Sequence, residues 1–149
     1  MIPDDSFIVN ETHSFSPDIV FLISVRSGEL TGARIGGQIV VGSLGPKSAN
    51  PASYASADLL SRVLATSRDA AELRKLHKKN FAYSSGELLE ARVSTRRALW
   101  TGPVPNSGSI TLIPRSGRRR RLILLGNQDI RSVRALIQSA GIPVEPLAV

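Results

Sequence analysis

An α+β fold, with one strongly curved antiparallel sheet closed by a C-terminal amphipathic helix, is the architecture this 149-residue sequence predicts. Three observations carry it. Ser109–Ile113 and the run ending at Leu125 are β-rich stretches joined by a short turn ending on Gly117, the pattern of a hairpin. Asn127–Ala140 carries apolar residues at spacings of three and four, the pattern of a helix with one oily stripe. Ahead of these lie further β-rich runs interrupted once by helical periodicity, so the order is strands, helical insert, strands, helix.

Asp5–Thr12 has Phe7 and Val9 on one side and Ser6, Ile8 and Asn10 on the other, a first strand. Ser16-Pro17-Asp18 turns the chain, and Ile19–Val25 is continuously β-rich, as in a central strand covered on both faces. Ser27-Gly28-Glu29 turns again, and Ala33–Val41 is a third strand weakened by Gly36, Gly37 and Gly42. Gly42–Ser53, rich in glycine, proline and small polar residues, is a loop.

From Ala55 the periodicity becomes helical, with Leu59, Leu60, Val63 and Leu64 followed by Leu73 and Leu76. Ala65-Thr66-Ser67 breaks it, with Ser67 capping a second helix that Asn80 ends. Phe81-Ala-Tyr83 is extended and Ser84-Ser85-Gly86 turns. Glu87–Thr95 then alternates Leu89, Ala91 and Val93 with Glu90, Arg92 and Ser94, a half-buried strand. Ala98-Leu-Trp100 is a further short strand ahead of a loop over Gly102–Gly108.

The closing unit is the most fully specified. Pro114 cannot donate a ladder hydrogen bond, so the strand before it ends there. Asn127 is placed to cap the final helix, whose stripe is Ile130, Val133, Leu136, Ile137 and Ala140. Gly141 supplies a left-handed cap and Pro143 prevents continuation. The whole reads as a single domain over 1–149: N-terminal strands in 1–42, a loop in 43–54, the insert in 55–79, a second strand set in 80–125 and the helix in 127–140.

Composition bounds the chemistry. With 42% hydrophobic and 21% charged residues the chain is of globular type. The absence of cysteine excludes a disulfide framework, thiolate metal sites and a Cys nucleophile. Met1-Ile-Pro-Asp-Asp5 is acidic and Ile19–Ile23 is too short to span a bilayer, so the expected location is cytoplasmic, with at most peripheral contact to a membrane. Charge is uneven: residues 1–33 carry −4 and residues 34–149 carry +11, within a net +7. That asymmetry implies either an anionic partner for the second part or pairing between the two parts.

A strand after a basic helix end (Lys78-Lys79-Asn80-Phe81), the strand Glu87-Leu-Leu-Glu-Ala-Arg-Val93, a hairpin closing on Ser116-Gly117-Arg118 and a terminal helix together resemble bacterial pleckstrin-homology-like domain proteins. The glycine-rich Gly36–Ser53 stretch and the insert over Ala55–Lys79 match variants of that family. The resemblance is strongest over residues 78–141. It implies a curved sheet or small barrel plugged by the C-terminal helix, and a binding or assembly module without catalytic residues.

Five arginines within seven residues, Arg115, Arg118, Arg119, Arg120 and Arg121, form the densest feature. Arginine binds phosphate bidentately and stays charged, which suits lipid headgroups or nucleic acid. A solvated hairpin edge that deters sheet association explains the same cluster without a ligand. Arg96 and Arg97 beside Trp100, and Lys78 and Lys79 with Lys75 at the helix end, extend the candidate basic face. Strand alternation points Arg118 and Arg120 one way and Arg119 and Arg121 the other.

Gly45-Pro46-Lys47-Ser48 is not a phosphate loop, because Pro46 removes a backbone N–H where one is needed. His13 and His77 lack second ligands at metal spacing, and no Ser lies in a nucleophile elbow. The expectation is therefore no catalysis, no cofactor and no metal. A protein partner or an anionic membrane surface is favoured over nucleic acid, since aromatic residues for stacking are only 5% of the chain.

Overall fold

A computed structural model of the chain describes residues 2–11, 18–37, 50–95 and 106–145. The strands are β1 (Ser6–Glu11), β2 (Ile19–Arg26), β3 (Glu29–Gly36), β4 (Phe81–Ser84), β5 (Leu88–Ser94), β6 (Asn106–Pro114) and β7 (Arg120–Leu125). Helices α1 (Ala57–Leu64) and α2 (Ala70–Leu76) separate β3 from β4, and α3 (Ile130–Ser139) follows β7. All seven strands form one antiparallel sheet in the order β4-β3-β2-β1-β7-β6-β5.

That order forces curvature. The two outermost strands, β4 and β5, are joined only by the 3-10 turn Ser85–Glu87. A flat seven-stranded sheet would hold its edges about 29 Å apart, whereas the short link reaches about 14 Å. The sheet is accordingly curled into a half-barrel, and the fold is α+β.

Both faces are covered. On one, Phe7 and Val9 of β1, Phe21, Ile23 and Val25 of β2, Ile110 and Leu112 of β6, and Leu122 and Leu124 of β7 pack with Val133, Ile137 and Ala140 of the α3 region. On the other, Ile8, Val20, Leu22, Ala33 and Ile35 pack with Tyr54, Val63 and Leu73 from the insert. Two-sided cover explains why β2 is buried without interruption from Val20 to Val25. The oily side of α3 meets the curved sheet as its spacing requires. Val133 and Ile137 are buried, and Ile130 and Leu136 pack at the margin. Each fully covered aliphatic side chain stabilises the fold by about 1.5–3 kcal/mol.

Besides β6, which begins at Asn106 inside the predicted Gly102–Gly108 loop, four features differ from those the sequence predicts. The cap of α3 is Asp129, whose side chain accepts from Arg131 N, and not Asn127. Gln128 explains the delay. Its side chain accepts from Ile8 N at 3.0 Å and donates to Ile8 O at 2.7 Å and Leu125 O at 2.6 Å, which holds residues 126–128 to β1. The cap of α2 is Asp69 and not Ser67, whose hydroxyl instead donates to the Asp69 carboxylate at 2.6 Å. β3 starts at Glu29, directly after a turn in which Ser27 and Gly28 take φ of 51° and 74°. Both residues then twist in the sense a two-residue hairpin needs.

The fourth difference is Leu89. It is 50% exposed, while Leu88 is buried with Ala91 and Val93. A β-bulge opposite Ile113 and Pro114 adds one residue to β5, so the alternation changes phase at that point. Residues 38–49 and 96–105, which include the end of the predicted third strand, most of the Gly42–Ser53 loop and the Ala98–Trp100 strand, lie outside the described residues. Among the described residues no helix is long and apolar enough to cross a membrane.

Candidate functional site

The five-arginine cluster divides into two parts with different surroundings. Arg120 opens β7 in the same inward phase as Leu122 and Leu124. Glu11 closes β1 in phase with Phe7 and Val9. The two side chains therefore meet where two apolar stripes end. Arg120 Nη1 donates to Glu11 Oε1 at 2.9 Å and Oε2 at 3.2 Å, and its Nε donates to the Tyr83 hydroxyl at 2.8 Å. The guanidinium carbon lies 3.9 Å from the centre of the Phe81 ring, a cation–π geometry. Phe81 meets Phe21 edge-on at 5.1 Å between ring centres, and its ring lies so close to Gly32 that any Cβ there would collide with it.

Glu11 is only 7% exposed and Arg120 26%. Without Arg120 the Glu11 carboxylate would be buried uncompensated. Arg120 thus holds β7 and β1 against the β4 edge, and its donors are directed into the protein.

Arg115, Arg118, Arg119 and Arg121 are exposed. Arg115 anchors the turn: its backbone N donates to Glu87 O at 3.0 Å and its Nε to Gly86 O at 2.8 Å. Arg118 and Arg119 precede the first residue of β7 and stand at the tip. Gly117, at φ 99°, supplies the turn conformation that a side chain would strain. Of the predicted site residues, Arg96 and Arg97 lie outside the described residues.

Lys78 and Lys79 are exposed and follow α2 directly. They do not cap its dipole, since Arg74 and Lys75 occupy the last turn. Their position is fixed by the two residues beside them. Asn80 is buried, donates to Leu73 O at 2.7 Å and accepts from Arg34 N at 2.7 Å. His77 Nδ1 accepts from Lys79 N at 3.1 Å. The two lysines line a cavity of about 200 Å³ together with Glu11, Phe21 and Arg120. The structure thereby brings Lys78 and Lys79 to the same recess as Arg120, two residues from the hairpin tip. Burial, and then the charges of Arg34, Lys78 and Lys79, hold the His77 imidazole below its ordinary value.

A second polar cluster carries no signal in the sequence. Arg68, at φ 60°, directs Nη1 to Asp5 Oδ1 at 2.9 Å, Ser6 Oγ at 2.9 Å and Ser24 Oγ at 3.3 Å. Arg26 reaches Asp5 Oδ2 at 3.3 Å and Ser67 O at 2.7 Å. Burial raises the Asp5 carboxyl, but the Arg68 and Ser6 hydrogen bonds and the two arginine charges outweigh it, and its pKa falls below the carboxylate norm. The cluster ties the insert to the sheet. With Glu11–Arg120 it shows where part of the acidic charge of residues 1–33 goes: Asp5 and Glu11 pair with arginines of the basic part.

No family model, curated protein or solved structure matches the chain.

Proposed function

We propose that the chain is a non-catalytic, pleckstrin-homology-like binding module whose basic hairpin contacts anionic lipid headgroups at a membrane surface. The curled sheet with its terminal helix agrees with the family resemblance of residues 78–141. The observation that carries the binding reading is the split of the arginine cluster. Arg120 is committed to Glu11, Tyr83 and Phe81, while Arg115, Arg118 and Arg119 are exposed at one anchored turn and Arg121 is exposed within β7. Lys78 and Lys79 add two exposed charges at the adjoining cavity.

Such a surface acts through charge, at about 1 kcal/mol per basic residue held near an anionic leaflet. Nucleic-acid binding through the same arginines is the alternative. It is less well supported, because the described aromatic residues beside the site are unsuited to stacking. Phe81 is buried, and the Tyr83 ring packs against Phe81 with Arg120 over it.

Flotation with neutral and phosphatidylserine-containing vesicles, alongside DNA and RNA mobility shifts at two salt concentrations, tests the reading. The expected result is partition onto anionic vesicles only. Changing Arg118 and Arg119 together to Gln should lower it at least about tenfold, with an unaltered unfolding curve. Retained binding in that variant refutes the lipid role of the hairpin, and a shift of nucleic acid without vesicle binding favours the alternative.

A further inference from the structure

A different surface carries a recess of another chemistry. Between α1, α2 and β3 lies a cavity of about 50 Å³ floored by Leu59, Val63 and Leu76 and walled by Arg34, Arg62 and His77. Leu76 is 42% exposed, and among the described residues only Leu89 is a comparably exposed large hydrophobic side chain. We infer that this recess docks an acidic segment of another protein that presents one branched aliphatic side chain to Leu59, Val63 and Leu76.

Size and charge together select that occupant. The recess is small, about 50 Å³, and its apolar floor suits the end of an aliphatic side chain such as Leu, Ile or Val. The apolar floor offers nothing to a phosphate group, and its concavity does not suit insertion into a bilayer.

The rim is basic from every side. Arg34 comes from β3, Arg62 from α1 and His77 from the end of α2, with Lys78 and Lys79 directly after it. The acid nearest in sequence to this rim, Asp58, pairs with Arg62 at 3.1 Å, but both are largely exposed. Such a surface i,i+4 pair is weak and yields to a carboxylate delivered with an apolar anchor. Carboxylates flanking the aliphatic residue would meet Arg34 and Arg62, and would offset the charges of Arg34, Lys78 and Lys79 that add to burial in depressing His77.

The full chain is titrated with an acetylated, amidated peptide, Glu-Asp-Glu-Leu-Glu-Asp, while the His77 imidazole resonances are followed by NMR. Its Leu→Ala and all-Lys counterparts serve as controls. The expected result is saturable movement of the His77 signals with an upward shift of the His77 titration midpoint. The Leu→Ala peptide should bind about tenfold more weakly, since one anchored aliphatic side chain carries that much, and the all-Lys peptide should not bind.

Leu76→Ala and Arg62→Gln alter exposed positions and should each weaken binding several-fold while leaving anionic-vesicle partition unchanged. A peptide that fails to move His77 at millimolar concentration overturns the inference. So does binding that survives both substitutions, or that is lost only when the hairpin arginines become Gln. The vesicle arm reads the lipid proposal separately.

Discussion

Arg120 and Glu11 show how a charge becomes structural by its phase in a strand. Removing one partner of a buried pair leaves the other without compensation, at a cost of about 3–5 kcal/mol where burial is complete. Arg120 is partly exposed, so Arg120→Leu should cost somewhat less, about 2–4 kcal/mol by urea denaturation. Glu11→Leu with Arg120→Leu should recover most of that loss, and additive costs would show that the pair is not coupled.

Two titrations follow from the pKa directions. The folded His77 has a lowered pKa, so the unfolded chain binds protons more readily between that value and about 6.5. Stability should therefore fall as pH drops below about 6.5 and level off once the folded imidazole also titrates. His77→Gln should flatten that segment of the stability curve. Asp5 is lowered as well, so its contribution is present above the unfolded value of about 3.9 and is lost as pH falls through the folded value. Asp5→Asn should lessen the acid-limb slope, the rest of which comes from Asp69, Glu87 and Asp129, also lowered.

At the scale of elements, α3 shows what a spacing pattern secures. Its stripe of Ile130, Val133, Leu136, Ile137 and Ala140 lies against the sheet as the periodicity requires, and Gly141 adopts φ 83° after the last turn. Ile137→Ala, at a fully buried position, should cost about 2–5 kcal/mol in thermal or chemical unfolding. The start of α3 was not legible, because Asn127 and Asp129 are both good caps. The choice between them rests on Gln128 binding Ile8, 120 residues away in sequence.

Leu89 departs from the alternation for a similar reason: a bulge changes the phase of β5, and nothing local in Glu87–Val93 announces it. Gly108 marks the corresponding irregularity in β6. It sits at φ 126°, where a Cβ would collide with Ser94 O. Gly108→Ala should destabilise by about 1–3 kcal/mol, whereas Gly86→Ala, which meets open space, should be nearly neutral. Equal effects at the two positions would mean that the strand can be rebuilt around a side chain.

For the whole molecule, fold class and the covered central strand could be read from alternation and periodicity alone. The site was legible in part. Arg115, Arg118, Arg119, Lys78 and Lys79 stand out by composition, but the inward turn of Arg120 becomes visible only when its phase with Leu122 and Leu124 is set beside that of Glu11 with Phe7 and Val9. Arg68 gave no signal, since a left-handed arginine in a short connection looks like any surface residue until Asp5, Ser6 and Ser24 are brought under it.

The pairing of β1 with β7 has a consequence for how the chain is made. Val9 sits opposite Leu124, so β1 waits for β7, made much later, before its second edge is filled. Contacts of such sequence separation make folding slow. Until they form, the hairpin of β1 and β2 presents an unpaired row of amides that neighbouring nascent chains can capture.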